Sequence, residues 1–409
     1  MERVTSASQP ALNRFLAAAK PSATYKVIDR VAARRASGEP VISLSAGEPD
    51  FDTPAHIGEA GIAAIRAGHT RYTQVAGLRA LREAVAAKFR RENGLEVDWR
   101  DTLVCSGGKQ VIFNALAATL NVGDEVIVPA PYWVSYPEIV QLCGAQAVIV
   151  PCDEASGFKL TPAALQAAIT PRTRWLILNS PSNPTGAVYS RAELQALAEV
   201  LLAHPDVLVL SDDIYEHLIF DGLAFFTLAQ VEPRLRERVL TMNGVSKAYA
   251  MTGWRIGFAT GPRWLIDAME KLQGQQTSGA SSISQHAALA ALDGPQDFIA
   301  QSRAVFQRRR DLVVAQLNAA AGLHCAVPQG AFYAFASCAA LLGKTTRGGV
   351  RLASDEDVVN ALLDEAGVAT VHGSAFGLGP YIRIAYALDD AALLRACAAI
   401  QQFCGTLEA

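Results

Sequence analysis

The chain has 409 residues, of which 51% are hydrophobic and 18% are charged, and its formal net charge is −3. That length predicts two domains or one large one, with ample apolar content for a buried core. The weakly acidic balance gives no reason to expect binding to nucleic acid or to an anionic membrane. No apolar run approaches the ~20 residues that span a bilayer, and we see no signal peptide.

Seven cysteines are scattered along the chain without CxxC pairs, and no Cys/His cluster has zinc-like spacing. Such a set is typical of reduced thiols in a cytoplasmic protein, and we expect no metal site. The histidines show no triad spacing either, and we interpret them as structural.

Residues 1–45 predict an N-terminal arm and part of a smaller domain. Pro21 breaks the arm, a helix is expected over Tyr25–Ser37, and Val41–Leu44 is typical of a strand. We expect the segment near 20–45 to pack with the C-terminal part of the chain.

Residues 46–300 alternate strand and helix signals. Thr53-Pro54 predicts a helix start, with Thr53 as the cap, and another helix is expected over 78–93. The buried strands are predicted at Leu103–Cys105, Glu125–Val128, Ala147–Val150, Trp175–Leu178 and Val207–Leu210. This alternation predicts an α/β fold, a large domain with a mostly parallel central sheet flanked by helices, whose ligands bind at the carboxyl ends of the strands.

The segment 106–110 joins the strand ending at Cys105 to a helix predicted over Gln110–Leu120. Gly107 and Gly108 lie at that junction. Amide donors and the helix dipole at such a place favour an anion such as phosphate. A glycine pair alone is a weak signal, which its placement between strand and helix strengthens.

Residues 301–409 change in character. A charged helix is expected over Gln301–Ala320 and another over Glu356–Glu365, while Gly330–Phe335 and Tyr381–Tyr386 are typical of strands. Because the last of these alternates apolar and polar residues, we predict a smaller α+β domain with an antiparallel sheet.

Lys247 lies between two apolar, strand-like runs, 239–242 and 256–259, with Arg255 eight positions further on. A buried lysine is costly unless it is paired or covalently used, and burial lowers its pKa, which makes the amine a better nucleophile. An arginine suits a phosphate. The pair therefore suits pyridoxal phosphate, which carries an aldehyde and a phosphate; the alternative is a surface lysine beside a structural arginine.

Pyridoxal phosphate needs further partners, and the chain offers candidates at strand ends. Asp212 could keep the pyridine nitrogen protonated, Asn183 and Tyr215 could donate to the phenolate oxygen, and Trp133 could cover the ring. Arg383, in an otherwise apolar strand, could bind a substrate carboxylate. Each also has an ordinary explanation as a loop acid, a turn amide, a core aromatic or an ion-paired arginine.

Taken together, these segments resemble a known family. The chain is similar to the class I/II aminotransferases of fold type I, and in particular to the bacterial aspartate aminotransferases often called the I-beta subgroup. The matching segments are KPSAT (20–24), SAGEPDFDTP (45–54), GGKQ (107–110), APYWVSYPE (130–138), NSPSNPTG (179–186), SDDIYEHL (211–218), SKAYAMTGWRIG (246–257) and YIRIAYA (381–387). They follow the family's order over nearly the whole chain.

The resemblance implies a role for each candidate that contacts the cofactor ring. Lys247 would form the covalent bond to the cofactor aldehyde and carry the proton between substrate and cofactor. Asp212 would pair with the pyridine nitrogen, Tyr215 and Asn183 would bond the phenolate oxygen, and Trp133 would stack on the ring.

The resemblance also implies how the phosphate is bound. The amides of Gly108 and Lys109 would hold it together with Arg255, and Tyr72 would reach it from a second subunit, which makes the active unit a homodimer. Many members of the family carry a phosphate-binding serine three positions before the lysine. Here that position is Gly244, and the nearby hydroxyl belongs to Ser246.

For the substrate, the resemblance implies that Arg383 takes the α-carboxylate with Asn183 and the Gly47 amide, next to Trp133. The expected reaction is transamination of aspartate with 2-oxoglutarate. Alternatives are an aromatic or prephenate aminotransferase, a lyase or decarboxylase on the same fold, and a non-catalytic regulator that senses amino acids.

A dicarboxylate substrate needs a second cation besides Arg383. Lys109 could supply it, with Lys20 and Thr24 closing over the same end of the pocket. The alternative for Lys109 is a solvated lysine at a helix start. Thr277–Ala280 lacks the Asn-Pro that we expect after Thr-Ser in this family, which leaves the substrate range more open than the reaction type.

Overall fold

The computed structural model describes residues 11–408, so the first ten residues of the predicted arm lie outside the described part. The α-helices are α1 (Arg14–Ala18), α2 (Ala23–Ala36), α3 (Ala55–Arg66), α4 (Arg79–Asn93), α5 (Gly108–Thr119), α6 (Ser135–Leu142), α7 (Pro162–Ala168), α8 (Arg191–Leu202), α9 (Leu228–Val231), α10 (Arg263–Gln276), α11 (Ser282–Asp293), α12 (Asp297–Asn318), α13 (Asp355–Ala366) and α14 (Asp390–Gly405).

The strands alternate with these helices up to residue 260, and the remaining ones lie between residues 324 and 385. They are β1 (Ile42–Ser43), β2 (Thr102–Cys105), β3 (Glu125–Ala130), β4 (Gln146–Pro151), β5 (Thr173–Asn179), β6 (Leu208–Asp212), β7 (Val239–Gly244), β8 (Gly257–Thr260), β9 (His324–Cys325), β10 (Tyr333–Ser337), β11 (Val368–Ala369), β12 (Val371–His372) and β13 (Tyr381–Ala385).

A seven-stranded sheet forms the centre of the larger part, in the order β2-β8-β7-β6-β5-β3-β4. Strand β8 runs antiparallel to both of its neighbours, and the other pairs are parallel. Side chains alternate between the two faces, so that Trp175 and Ile177 join one apolar cluster while Leu176 and Leu178 join the other. Helices cover both faces, as the sequence predicts for a mostly parallel sheet.

A four-stranded antiparallel sheet, β12-β13-β10-β9, lies in the C-terminal part and packs with α12, α13 and α14. Strand β1 pairs in parallel with β11, and Val27 and Val31 of α2 pack against Leu363 and Ala369. Residues 20–45 thus pack with this part of the chain. The domain boundary that we place near residue 300 stays a prediction.

Several predicted starts are shifted in the structure, among them that of α12, which begins at Asp297 rather than at Gln301, and two of the differences have a visible cause. Helix α3 begins at Ala55, and the Thr53 hydroxyl donates to the Ala250 carbonyl at 2.7 Å, so the prediction of Thr53 as its cap is wrong. Strand β10 begins at Tyr333 rather than at Gly330, because Ala331 has a φ of 59°, in the left-handed region that interrupts a strand.

The topology brings the candidate residues to one edge of the large sheet. Strands β5, β6 and β7 are parallel and end there, at Asn179, Asp212 and Gly244. Strand β2 points the same way, since β8 reverses direction between β2 and β7, and α5 therefore begins at this edge. Within residues 11–408, no helix combines the length and the apolar composition needed to cross a bilayer.

Candidate active site

A cavity of about 380 Å³ lies at this edge, between the large sheet and strands β10 and β13. Every predicted site residue except Lys20 and Tyr72 lines it. These lining residues are Thr24, Gly47, Gly108, Lys109, Trp133, Asn183, Asp212, Tyr215, Ser246, Lys247, Arg255 and Arg383.

Lys247 follows β7 by three residues and is partly buried in the cavity wall. Its Nζ donates to the Gly47 carbonyl oxygen at 2.5 Å. Burial lowers the pKa of this amine to about 8, and the charges of Arg255 and Arg383 act in the same direction against that of Glu48. An appreciable fraction of the amine is therefore neutral and nucleophilic near neutral pH.

Asp212 ends β6 and is buried. Its Oδ2 accepts a hydrogen bond from the Tyr136 hydroxyl at 2.6 Å. Burial raises the pKa of the carboxyl to about 6, and the bond from Tyr136 opposes that rise. Sequence reasoning did not find Tyr136; the only local signal was its place in the 130–138 segment, three residues after Trp133.

The junction between β2 and α5 is closely packed. Gly107 has a φ of 89°, and a Cβ at Gly107 would collide with the guanidinium of Arg255. Among the described residues, the Gly108 and Lys109 amides have no hydrogen-bond acceptor, and α5 has no side-chain cap. Two unused amides beside a guanidinium at a helix N-terminus form a site for a phosphate-sized anion.

Glycine at position 244 has a packing explanation. A Cβ there would lie 3.0 Å from the Ile256 carbonyl oxygen and 3.2 Å from the Cα of Gly257. Both contacts are with backbone, which cannot move aside cheaply, so the expected serine is not accommodated without a shift of β8. Ser246, in contrast, lines the cavity.

Arg383 lies on β13 with 2% of its surface exposed. Its Nη2 donates to the Ser45 carbonyl at 2.6 Å and its Nη1 to Oδ1 of Asn183 at 3.0 Å. The guanidinium carbon lies 4.7 Å from the ring centroid of Tyr333 and 4.8 Å from that of Phe376. These contacts fix the guanidinium in place, and its Nε has no partner among the described residues.

Tyr333 also links Arg383 to the loop after β6. Its hydroxyl lies 2.7 Å from the hydroxyl of Tyr215, and both side chains are buried. Sequence reasoning missed Tyr333 and Phe376 because their places in the chain carry no chemical motif. The apolar segment around Tyr333 predicted only a strand.

Lys109 is the second residue of α5 and lies at the open side of the cavity. Its Nζ is 4.9 Å from the ring centroid of Trp133 and 5.9 Å from that of Tyr25, which lies in the first turn of α2. Burial, together with the charge of Arg255, lowers the pKa of Lys109. Thr24 lines the same wall.

Lys20 and Tyr72 lie outside the cavity wall of this chain. The Lys20 amide donates to Oε2 of Glu138 at 2.6 Å, and its side chain is exposed. The side chain of Tyr72 is 97% exposed. A single chain thus does not bring either of them to the other candidates.

A sequence profile of the family described as "Aminotransferase class I and II" matches residues 39–400. The chain belongs to that family. The resemblance found in the sequence, the α/β fold class and the prediction of an enzyme that transfers amino groups are thereby confirmed.

Close relatives of this aminotransferase cover its whole length. It is 57% identical over 390 residues to the probable aspartate/prephenate aminotransferase of Rhizobium leguminosarum bv. phaseoli, covering 95% of this chain and 98% of the relative. The crystal structure of the aspartate aminotransferase from Rhizobium meliloti superposes with a TM-score of 0.95 at 53% identity, covering 98% and 100%. The aspartate aminotransferase from Thermus thermophilus with maleate gives a TM-score of 0.90 at 42% identity, covering 96% and 100%.

The residues of this aminotransferase fit pyridoxal phosphate. The unused amides at the start of α5, with Arg255, suit its phosphate, and the buried Asp212 carboxyl suits a protonated ring nitrogen. The Lys247 amine, with its lowered pKa, suits its aldehyde. These groups all line one cavity.

Proposed function

We propose that this aminotransferase uses pyridoxal phosphate to transfer an amino group between aspartate and 2-oxoglutarate, giving oxaloacetate and glutamate. The observation that carries the proposal is the cavity itself, which combines a lysine of lowered pKa with a buried acid and with the cationic side chains of Arg383 and Lys109. A second candidate is an aromatic amino acid or prephenate as the amino partner, because two close relatives are named aspartate/prephenate aminotransferases.

Pyridoxal phosphate, when bound, supplies an electron sink for the charge that develops at the substrate Cα. Asp212 would hold the ring nitrogen protonated, while Tyr215 and Asn183 would donate to the phenolate oxygen. Trp133 would lie against the ring. The amides of Gly108 and Lys109, with Arg255 and Ser246, would bind the phosphate.

Lys247 would have two tasks. Its neutral amine is the nucleophile that would bond to the cofactor aldehyde, and its lowered pKa supports that task. The same amine would also carry the proton between the Cα of the amino acid and the cofactor carbon that bears the aldehyde. An amine whose pKa lies close to the working pH is suited to both directions of proton transfer.

The two carboxylates of aspartate would bind at opposite ends of the cavity. Arg383, held by Asn183 and Ser45 and flanked by two aromatic rings, presents a fixed guanidinium for the α-carboxylate, next to Gly47. Lys109 would meet the distal carboxylate, with Thr24 on the same wall. A related structure was solved with maleate, a dicarboxylate, which agrees with a cavity that has two cationic ends.

We further propose a homodimer in which Tyr72 of each chain reaches the phosphate site of the other. The 97% exposure of Tyr72 in the single chain is compatible with this, since its side chain is free to reach a second subunit. Mixing Lys247→Ala and Tyr72→Ala chains should restore activity, because one hybrid site would combine intact residues from both. Verified heterodimers without recovered activity would show that each chain builds its site alone.

The reaction is tested with purified enzyme, added pyridoxal phosphate, 2-oxoglutarate and a panel of amino donors. We expect glutamate to form, fastest with aspartate. Faster turnover with phenylalanine, tyrosine or the prephenate-derived amino acid would favour the second candidate. Loss of CO2 or ammonia without glutamate would indicate a lyase, and a spectral change without turnover would indicate a regulator that senses amino acids.

A further inference from the structure

The hydroxyl of Tyr136 is the principal hydrogen-bond donor to the buried carboxylate of Asp212. Tyr136 lies in the first turn of α6, and its side chain is only 2% exposed. Its hydroxyl donates to Oδ2 of Asp212 at 2.6 Å, whereas Oδ1 receives, from residues 11–408, only the Ile214 amide at 3.3 Å. A short bond from a buried hydroxyl to a carboxylate is among the stronger hydrogen bonds in proteins.

The ring of Tyr136 is also held by an aromatic contact. Its ring meets that of Trp133 edge-on, with centroids 5.4 Å apart and an interplanar angle of 85°. The residue therefore connects the aromatic wall to the acid at the end of β6. The contact with Trp133 and the hydrogen bond to Asp212 together hold the Tyr136 side chain in this orientation.

We propose that Tyr136 is a positioning residue that acts through Asp212, holding this carboxylate ionised and oriented for the ring nitrogen of the cofactor. The inference rests on the proposed function above, and it adds a residue that the sequence did not indicate. A carboxylate pairs strongly with a protonated ring nitrogen, whereas a neutral carboxyl does not. Whatever stabilises the ionised form of Asp212 therefore strengthens cofactor binding.

The electrostatics of the two groups support this direction. Burial raises the pKa of Asp212 to about 6, and the bond from Tyr136 counteracts that rise. Burial, followed by the charge of Asp212, raises the pKa of the Tyr136 hydroxyl, so it stays a neutral donor. Without the hydroxyl, Asp212 would keep its burial cost but lose the partner that offsets it, and the carboxyl would become protonated more readily.

Tyr136→Phe keeps the ring and removes only the hydroxyl. We expect the dissociation constant of pyridoxamine phosphate, which binds without a bond to Lys247, to rise about 10-fold in equilibrium titrations. The kcat should fall, while the KM for aspartate stays within about 2-fold, because no substrate contact is lost. An unchanged dissociation constant would overturn the proposal.

Tyr189→Phe is the matched control. Tyr189 is also buried, and its hydroxyl accepts a bond from the Leu160 amide at 2.7 Å, away from the lining of the main cavity. Its loss should lower thermal stability by a similar amount but leave pyridoxamine phosphate binding unchanged. Equal weakening in both variants would show a general effect of losing a buried hydroxyl and would also overturn the proposal.

A double-mutant cycle separates action through Asp212 from packing against Trp133. In an Asp212→Asn background, Tyr136→Phe should cause little further loss of pyridoxamine phosphate affinity, because the carboxylate on which it acts is gone. Additive losses would contradict the proposal. If the wild-type enzyme neither binds pyridoxamine phosphate nor transaminates, the proposed function fails; if it does both and only the Tyr136 effects are missing, this inference alone fails.

Discussion

Two lysines lie in the interior of the large-sheet region, and their surroundings differ. Lys88, on α4, is 1% exposed and forms an ion pair with Glu216. Its Nζ also donates to Oδ1 of Asn93 at 2.7 Å and lies 3.5 Å from Glu92. Lys247 has only the Gly47 carbonyl as a hydrogen-bond partner among the described residues, with two arginines near enough to disfavour its charge.

The difference shows that burial alone does not make a lysine chemically active. The carboxylates of Glu92 and Glu216, with His217, lie close enough together to resemble a metal-ligand set, but the Lys88 ammonium already occupies the position beside them. The ion pair of the Lys88 amine with Glu216 holds α4 against the loop after β6. The Lys247 amine forms no ion pair among the described residues, and its pKa is lowered chiefly by burial, with the charges of Arg255 and Arg383 acting in the same direction.

The largest expected effect is on turnover. Lys247→Ala should reduce transamination at least about 1,000-fold, because it removes both the nucleophile and the proton carrier. The variant should fold, since no ion pair is broken, and borohydride reduction should no longer link the cofactor to the protein in mass spectrometry. Lys271→Ala, which removes an exposed lysine of α10, serves as the control and should change neither result. Cofactor still linked to another lysine would contradict the assignment.

The second effect falls on stability instead. Lys88→Met should lower the free energy of unfolding by about 3–5 kcal/mol, because it leaves the Glu216 carboxylate buried without its partner. Urea denaturation measures this loss, and the kcat per folded molecule should stay within a few-fold of wild type. Lys88→Met with Glu216→Gln should recover part of the stability. If Lys88→Met lost kcat while its free energy of unfolding stayed unchanged, Lys88 would take part in the reaction, and the contrast with Lys247 would disappear.

The sequence could predict one of these lysines and not the other. Lys247 stands out in the sequence because it lies between two apolar runs. Asp212 stands out as an acid at a strand end, and Arg383 as a charged residue inside an apolar strand. Lys88 lies in a helix rich in charges, where nothing distinguishes it from an exposed lysine. Its burial depends on Glu216, 128 residues further along the chain.

The same limit explains which contacts of the site were missed. Tyr136 and Asp212 are 76 residues apart, and Tyr215 and Tyr333 are 118 residues apart. Neither pair leaves a periodic pattern, because each depends on how α6 and β10 pack against the large sheet. The strands of the large sheet, in contrast, followed from apolar runs, such as Trp175–Leu178 within β5.

A third lysine sharpens the comparison, because Lys109 lines the same cavity as Lys247 but is only partly covered. If it binds the distal carboxylate, Lys109→Ser should lower kcat/KM for aspartate and glutamate about 10- to 150-fold, the value of a charge-assisted hydrogen bond. Phenylalanine and tyrosine, which have no distal carboxylate, should lose much less. Equal losses for acidic and aromatic donors would assign Lys109 to the cofactor or to the fold.

The smallest expected effect concerns the charge of Lys247 itself. In the enzyme freed of cofactor, acetylation of this amine should increase with pH around a midpoint near 8, because only the neutral amine reacts and its pKa is about 8. Arg255→Gln removes a positive neighbour, which favours the protonated amine and raises its pKa. Labelling at pH 8 should then become about 2-fold slower, as measured by mass spectrometry of the peptide that contains residue 247.

Lys88 provides the internal control for that experiment. Because its side chain is 1% exposed and paired with Glu216, it should be acetylated only when the protein unfolds, at any pH that leaves the fold intact. Its labelling should not respond to Arg255→Gln. Acetylation of Lys247 could prove as slow as that of Lys88, or the pH midpoint of its acetylation could be the same in Arg255→Gln as in the wild type. Either result would show that the low pKa does not arise from burial among positive charges. The two lysines would then differ only in exposure and not in chemistry.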